Sequence, residues 1–311
     1  MSATTRAILD EVAASQVITP DAVSSLEASS DALIALIHEA RRERGDARLV
    51  VGVCGTQGSG KSTAALVVKE RLERVDGLRV ATLSLDDLYL GREARAGLAA
   101  TLHPLFRTRG VPGTHDVALG RRVLDALVGR APGPLALPRF DKATDEPHPR
   151  GEWPVVEVPV DVVMFEGWCV GAVAEAPEAL VAPVNTLEAS EDPDGRWRGL
   201  VNEALLGPYR ELFGRIDRLV LLQAPGFERV FAWRREQEQK LAARLAARPG
   251  GLAGTRLMDD AALARFLGHY ERLTRHILRE MPGRADLVLT LDDERRVRGV
   301  RRRTGDGASA R

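Results

Sequence analysis

Short apolar runs alternate with longer stretches of mixed apolar and polar residues along most of this chain. The apolar runs are rich in β-branched residues, as expected of strands buried on both faces of a parallel sheet. They predict five strands: Leu49–Cys54, Arg79–Leu85, Asp161–Phe165, Arg218–Leu222 and Asp286–Leu291. The stretches between them predict helices over Ser62–Arg74, Val117–Val128, Trp197–Gly214, Phe227–Ala247 and Asp259–Arg279. This alternation predicts a doubly wound α/β fold with a five-stranded parallel sheet flanked by helices.

The first predicted strand runs directly into a glycine-rich segment that matches the P-loop pattern G-x-x-x-x-G-K-[ST]. A P-loop requires a strand before the motif and a helix after it, and both are predicted here. The glycines allow backbone N–H groups to surround a polyphosphate, and the helix N-terminus adds partial positive charge. Lys61 is expected to reach the β- and γ-phosphates of ATP, and the Ser62 hydroxyl to hold Mg²⁺. The predicted nucleotide-binding residues of the loop are Gly55, Thr56, Gln57, Gly58, Ser59, Gly60, Lys61, Ser62 and Thr63.

Lysine is rare in this chain, which bears on whether the match has arisen by chance. Only Lys61, Lys69, Lys142 and Lys240 are lysines among the 44 basic residues. Arginine is the usual cation here, and its planar guanidinium does not replace the compact ammonium that a P-loop uses. A lysine at the motif position therefore favours nucleotide binding over a glycine-rich turn without function.

Acidic residues follow two predicted strands at their carboxyl ends, where open α/β sheets bind ligands. Asp86 and Asp87 follow the second strand, and Asp86 is the candidate base for the proton of a phosphoryl acceptor. Asp87 is expected to point to the other side and either to orient the water molecules of Mg²⁺ or to cap the next turn, and the alternative is that both aspartates merely form a turn. Glu166 ends the third strand and fits a Walker B role in binding Mg²⁺. The catalytic candidates are thus Asp86, Lys61 and Glu166.

About 75 residues separate the second and third predicted strands, too many for a simple crossover. We therefore expect an insertion over about 87–158 that carries the acceptor pocket. Its turn-rich segments contain Arg109, His115, Arg139 and Lys142, and a cationic pocket of this kind suits a small carboxylate or phosphate. It suits a nucleoside less well, because the chain is only 5% aromatic. The alternative is that these are solvated loop charges.

An arginine-rich helix is predicted after the fourth strand, and a glycine-rich break follows it at Pro249–Arg256. We expect a lid over about 228–258, in which Arg234 or Arg235 contacts the phosphates and closure excludes water. The alternative is a solvated helix face with Glu–Arg pairs along it.

The remaining segments set the expected domain organisation. Residues 1–47 are predicted to form two helices, with Thr19 as the cap of the second and Pro20 in its first turn. A kinase-type domain is expected over 48–299, and 300–311 are expected to form a basic flexible tail.

Composition narrows the class of protein and of partner. The net charge is zero, so nothing favours nucleic acid or an anionic membrane as a partner. Two cysteines exclude a disulfide framework, and no run of 18 apolar residues occurs. These features predict a cytoplasmic protein that acts on a small molecule; they leave open whether it is a monomer or a dimer.

Five segments resemble the D-glycerate 3-kinase family in order and spacing: Ser84–Leu90, Arg109–Asp116, Pro138–Lys142, Phe165–Trp168 and Phe266–Leu273. This family of P-loop kinases is related to uridine kinase, phosphoribulokinase and pantothenate kinase, and the resemblance extends from about Leu49 to Val297. It implies ATP and Mg²⁺ as cofactors, D-glycerate as the acceptor and 3-phosphoglycerate as the product. It aligns Asp86 with the base of the uridine kinase relatives. It adds four candidates for substrate binding: Asp87, Tyr89, Thr114 and Asp116.

Two other functions remain open at the level of sequence. One is phosphorylation of another small alcohol, such as uridine or pantothenate. The other is a nucleotide-switch or chaperone-type ATPase that binds a protein and turns over slowly. A guanine-specific switch is disfavoured, because the chain contains no Asn-Lys-x-Asp tetrapeptide.

Overall fold

The computed structural model of the protein describes residues 2–16, 18, 20–246 and 259–303. Within them, ten strands follow one another along the chain: β1 (Leu49–Gly55), β2 (Val80–Ser84), β3 (Gly133–Ala136), β4 (Phe140–Asp141), β5 (Glu146–Pro147), β6 (Val155–Val158), β7 (Val162–Gly167), β8 (Arg218–Gln223), β9 (Leu287–Leu291) and β10 (Val297–Arg302). The α-helices of the same residues are α1 (Ala3–Gln16), α2 (Pro20–Glu43), α3 (Lys61–Arg74), α4 (Arg92–Thr101), α5 (Val117–Leu127), α6 (Thr186–Glu191), α7 (Arg196–Leu206), α8 (Pro208–Phe213), α9 (Phe227–Ala246) and α10 (Asp260–Glu280).

One central sheet organises the described part of the chain, with the strand order β10-β9-β8-β1-β7-β2. Strands β1, β2, β7, β8 and β9 are parallel, which confirms the five predicted strands with ends that differ by one or two residues. Alternate residues of β1 belong to two hydrophobic clusters, Val50 to one and Val51 to the other, so both faces of the sheet are covered. The doubly wound α/β class is therefore confirmed.

The prediction of a sheet with only five strands is wrong. Strand β10 pairs antiparallel with β9, with Arg302 opposite Leu287, so the sheet has six strands. Residues 300–302 thus lie in a strand, although the sequence assigns them to a flexible tail. Strand β10 is an edge strand with mostly exposed residues, and it lacks the apolar run by which buried strands are recognised. Residues 304–311 of the predicted tail lie outside the described residues.

The single helix predicted over Trp197–Gly214 is also wrong, since α7 ends at Leu206 and α8 begins at Pro208. Proline has no backbone N–H and its ring obstructs the preceding turn, so the chain turns at Gly207 instead of continuing the helix. The predicted cap at Thr19 and the predicted break at Pro249–Arg256 lie outside the described residues.

The N-terminal helices pack directly on the helix that follows the glycine-rich motif. Ile8, Leu9 and Val12 share a hydrophobic cluster with Ala64 and Val67 of α3. Among the described helices, none combines the length and apolar character that crossing a lipid bilayer requires.

Candidate active site

The glycine-rich loop joins the end of β1 to the first turn of α3. Gly58 and Gly60 have φ angles of 81° and 87°, a left-handed region that glycine enters without steric cost. Helix α3 begins at Lys61, so its unpaired backbone N–H groups and the positive end of its dipole face the loop. The buried hydroxyl groups of Thr56 and Ser59 find no hydrogen-bond partner among the described residues, which leaves them available to a bound group. The loop therefore fits a polyphosphate.

Glu166 lies beside this loop because β7 is the neighbour of β1 and both strands end at the same edge. Its Oε1 accepts a hydrogen bond of 2.9 Å from Ser62 Oγ, and its Oε2 lies 3.9 Å from Lys61 Nζ. Oε2 is buried and has no hydrogen-bond partner among the described residues. Carboxylate and hydroxyl oxygens are ligands that Mg²⁺ accepts, so the pair Ser62–Glu166 fits this metal.

The described residues alone do not supply a full set of ligands for such a metal ion. No group of three or more His, Cys, Asp or Glu residues in the described part of the chain could hold a metal ion. Mg²⁺ in nucleotide sites is usually bound by one or two protein groups together with phosphates and water. The geometry thus fits Mg²⁺ bound together with a nucleotide.

Asp86 lies in a short 3₁₀ turn, Leu85–Leu88, directly after β2. Its Oδ1 accepts a hydrogen bond of 2.9 Å from the Tyr89 hydroxyl, and its Oδ2 accepts one of 2.6 Å from Lys142 Nζ. Burial alone would raise the pKa of Asp86, but the positive charges of Lys142 and Lys61 outweigh it and lower the pKa to about 2. Asp86 is therefore ionised at neutral pH and can accept a proton or a hydrogen bond.

A cavity of about 270 Å³ joins the glycine-rich loop to the insertion between β2 and β7. Nine of the residues predicted from sequence line it: Gln57, Gly58, Lys61, Ser62, Asp86, Tyr89, Arg109, Lys142 and Arg234. We call this cavity the acceptor cleft. The candidate phosphate-binding ammonium and the candidate base thus face one common space.

Two further hollows border the glycine-rich loop. One, of about 320 Å³, is lined by Gly58, Gly60, Lys61, Ser62, Thr63, Glu236 and Arg295. The other, of about 460 Å³, shares Gly60, Thr63, Glu236 and Arg295 with it and extends to Ser25, Leu26 and Ser29 of α2. The loop therefore borders open space beyond the acceptor cleft, which a nucleotide with its base at one end and its reacting phosphate at the other requires.

Comparisons with known proteins agree with this geometry. No protein-family model matches the chain. A relative described as the uncharacterized kinase mug58 of Schizosaccharomyces pombe is 30% identical over 260 residues, which cover 80% of this chain and 87% of the relative. The chain belongs to the D-glycerate 3-kinase family of P-loop kinases.

Two further relatives are named D-glycerate 3-kinase. The chloroplastic D-glycerate 3-kinase of Arabidopsis thaliana is 28% identical over 83% of this chain, which spans 56% of that protein. The solved structure of D-glycerate 3-kinase from Cryptococcus neoformans var. grubii is 25% identical, with a TM-score of 0.68. The match covers 89% of this chain and 99% of the Cryptococcus chain. Family membership makes the protein a P-loop kinase.

Arg109 opens the segment Arg109–Asp116, which is one of those that resemble the D-glycerate 3-kinase family. Its guanidinium forms an ion pair with Asp145 and lies 5.7 Å from the ring centre of Phe140. The backbone of Arg109 is also held in place, because the Tyr270 hydroxyl donates a hydrogen bond of 2.9 Å to the Arg109 carbonyl. Gly110 follows with a φ of 134°, and a Cβ there would run into the Tyr270 ring. The segment is therefore held rigidly at the rim of the acceptor cleft.

The next three predicted residues, Thr114, His115 and Asp116, do not reach the acceptor cleft. Thr114 is fully buried and its hydroxyl bonds within its own turn, to Gly110 N–H and the Val111 carbonyl. Asp116 caps α5 by accepting a hydrogen bond from the Leu119 N–H. These two side chains stabilise the local fold.

His115 was predicted in a cationic pocket, and this is wrong. Its ring stacks on Tyr89 at 4.6 Å between centroids and hydrogen-bonds to the Tyr209 hydroxyl. Burial lowers the pKa of His115 to about 3, so the imidazole is neutral at physiological pH. The His115 ring therefore packs against Tyr89 and stabilises the position of that side chain.

Arg139 and Asp87 are bound to each other at 3.0 Å, and Asp87 also accepts a hydrogen bond from the Phe140 N–H. Neither side chain lines the acceptor cleft. The pair instead attaches the hairpin β4–β5 to the end of β2.

The two arginines predicted to contact the phosphates lie in α9, the arginine-rich helix. Arg234 lines the cleft, whereas Arg235 forms an exposed ion pair with Asp260 on α10.

Three residues that line the acceptor cleft are absent from the sequence-based site: Trp168, Phe266 and Tyr270. Trp168 comes two residues after Glu166 at a strand end, a position that marks it as a neighbour of the site. Phe266 and Tyr270 lie one turn apart on α10, where the pattern is that of an ordinary buried helix face. Trp168 Nε1 donates a hydrogen bond of 2.9 Å to the Gly110 carbonyl, so Trp168 and Tyr270 both bond to the backbone of the Arg109 segment.

Proposed function

We propose that the protein transfers the γ-phosphate of ATP to a hydroxyl group of D-glycerate and forms 3-phosphoglycerate. The observation that carries the proposal is the acceptor cleft, in which Lys61 and Ser62 face Asp86, Arg109 and Lys142 across one cavity. An ammonium next to a glycine-rich loop suits the nucleotide phosphates. A second pair of cations across the cleft suits a substrate that carries its own negative charge.

The roles follow from these positions. Lys61 and the amide groups of the loop would hold the β- and γ-phosphates, with Arg234 as a further phosphate contact. Ser62 and Glu166 would hold Mg²⁺, which neutralises charge on the phosphates when it is bound. Asp86 would take the proton of the acceptor hydroxyl, while Arg109 and Lys142 would hold the acceptor carboxylate. The base of the nucleotide would lie in the hollow between α2 and the turn after β9.

The size and lining of the cleft support a small acid over a nucleoside. The cleft volume of about 270 Å³ lies just below the usual range of ligand pockets, which begins at about 300 Å³. Aromatic residues are present, but Trp168 and Tyr270 are each only 3% exposed. Their polar atoms bond to the Arg109–Gly110 backbone, so little ring surface remains for stacking on a base.

A panel of acceptors tests the proposal directly. The purified full chain is incubated with ATP and Mg²⁺ and, separately, with D-glycerate, L-glycerate, glycerol, uridine and pantothenate. ADP release is followed, and the phosphorylated product is identified by ³¹P NMR. We expect one ADP and one 3-phosphoglycerate per D-glycerate consumed. Preferred phosphorylation of uridine or pantothenate would instead indicate that the protein is a uridine kinase or a pantothenate kinase. Slow phosphate release that ignores every acceptor would instead favour a switch or chaperone-type ATPase.

A further inference from the structure

The candidate base and one candidate carboxylate-binding group are bound to each other. Asp86 accepts one hydrogen bond on each carboxylate oxygen, from Tyr89 on Oδ1 and from Lys142 on Oδ2. Each oxygen of an ionised carboxylate can accept more than one hydrogen bond, but an ammonium group 2.6 Å away neutralises much of the charge on Oδ2 and makes it a weaker acceptor for a further proton. Asp86 is therefore a stronger base toward a substrate hydroxyl once one of these two partners has moved away.

Tyr89 is the fixed partner. It is buried, its ring stacks on His115 at 4.6 Å, and Phe140 packs edge-on at 5.3 Å. Its backbone is also paired with the segment that carries His115, in an antiparallel bridge. Moving this hydroxyl would disturb a packed aromatic group, which costs far more than rotating an exposed side chain.

Lys142 is the exchangeable partner. It lies in the turn of the hairpin β4–β5, and its side chain is 60% exposed. An ion pair with one well-exposed partner contributes little net stability, because water solvates the ammonium almost as well. A second carboxylate that enters the cleft can therefore compete with Asp86 for the Lys142 ammonium.

We propose that the Lys142–Asp86 ion pair blocks the base until the carboxylate of the acceptor draws Lys142 away. This inference rests on the proposed kinase activity and goes beyond it, because it makes the acceptor's charge a requirement for turnover as well as for binding. Once Oδ2 is released, it takes the hydroxyl proton as the acceptor oxygen forms its bond to the γ-phosphorus. The bond from that phosphorus to the β–γ bridging oxygen breaks, and ADP leaves.

The same block protects ATP from water. While Lys142 is bound to Oδ2, its positive charge leaves Asp86 a weak base for a water molecule in the cleft. Acceptor-independent hydrolysis of ATP is therefore slow, and a neutral alcohol that fits the cleft is a poor acceptor even at saturation.

Replacement of Lys142 by Met separates this role from simple substrate binding. Met has a similar length and no charge, and position 142 is exposed, so the variant is expected to fold. We expect acceptor-independent ATP hydrolysis to rise by about two- to fivefold, because an ion pair with an exposed partner holds the base in its paired state by a factor of about that size. Lys142→Arg keeps the positive charge beside Asp86, so hydrolysis should rise less in this variant than in Lys142→Met. The matched control is Lys69→Met, since Lys69 pairs with Glu73 on α3 and does not line the cleft.

Acetate supplies a carboxylate separately from the hydroxyl group and gives a second readout. With glycerol as the acceptor, we expect acetate to stimulate phosphorylation by the wild-type enzyme and to have no effect on Lys142→Met. Wild-type enzyme that is indifferent to acetate, or Lys142→Met with wild-type hydrolysis and only a raised KM for D-glycerate, would overturn the proposal. Failure of D-glycerate itself as an acceptor would refute the proposed function, while the hydrolysis rates would still report on the block.

Discussion

Two adjacent aspartates of nearly equal exposure have different surroundings, and this difference yields a sharp prediction. Asp86 faces the acceptor cleft with Lys142, whereas Asp87 faces the hairpin and binds Arg139 and the Phe140 N–H. Asp86→Asn keeps the size of the side chain and removes the proton acceptor. We expect kcat to fall by roughly 10²–10⁴-fold, which corresponds to about 3–5 kcal/mol of activation free energy.

Asp87→Asn should have the opposite profile. It weakens a partly buried ion pair and retains one acceptor oxygen, so we expect a loss of about 1 kcal/mol in the free energy of unfolding. For a domain of this size that corresponds to a fall of about 2–4 °C in Tm. Its kcat should stay within about tenfold of wild type, since only the attachment of the hairpin is affected.

Three measurements on the same preparations distinguish the two variants. ADP release with saturating D-glycerate gives kcat, calorimetric titration with ATP gives the nucleotide affinity, and thermal unfolding gives Tm. Asp86→Asn should bind ATP at least as well as wild type, because it removes a negative charge that acts on Lys61. Full activity in Asp86→Asn, or loss of activity in Asp87→Asn with its Tm unchanged, would refute the assignment of the base.

Three further predictions concern the metal, the pH dependence of stability and the rim of the cleft. Glu166→Gln removes a buried anionic oxygen beside Ser62, so the Mg²⁺ concentration for half-maximal activity should rise by at least about tenfold, as measured by Mg²⁺ titration at saturating ATP. His115 has a pKa of about 3 in the folded protein against an ordinary 6.5. As the pH falls below 6.5, the unfolded chain therefore binds a proton at His115 while the folded protein does not, and the free energy of unfolding decreases until the pH approaches 3. Between pH 8 and pH 5 this amounts to about 2 kcal/mol, and urea denaturation of His115→Gln should show a correspondingly flatter pH dependence. Tyr270→Phe loses one hydrogen bond to the Arg109 carbonyl, worth about 1 kcal/mol, and steady-state kinetics should show the KM for D-glycerate raised about fivefold with kcat nearly unchanged.

Local patterns were enough to predict the framework of the site. The apolar run of β1, the glycines of the loop and Lys61 are contiguous, so short-range conformational rules identify them without knowledge of the rest of the chain. Asp86 and Glu166 were found by a rule that is almost as local, because parallel strands place their carboxyl ends at one edge of the sheet. Strand β10 escaped prediction because an exposed edge strand needs no apolar run.

The pairing of charges within the site could not be predicted in this way. Arg109, Arg139 and Lys142 were assigned to one cationic pocket, yet each is bound to a different carboxylate, from Asp145, Asp87 and Asp86. Partners 36 to 56 residues apart meet only after the insertion has folded against the sheet. Their separation along the chain carries no information about distance in space.

The sequence by itself thus determined the class of fold, the phosphate-binding loop and the acids at the strand ends, since each depends on neighbours a few residues away. Only the tertiary structure decided that His115 is buried and neutral, that Tyr270 from a distant helix holds the Arg109 segment, and that Lys142 binds Asp86. The physical reason is that burial and Coulomb interaction depend on what packs against a group in three dimensions, and most of those neighbours come from far along the chain.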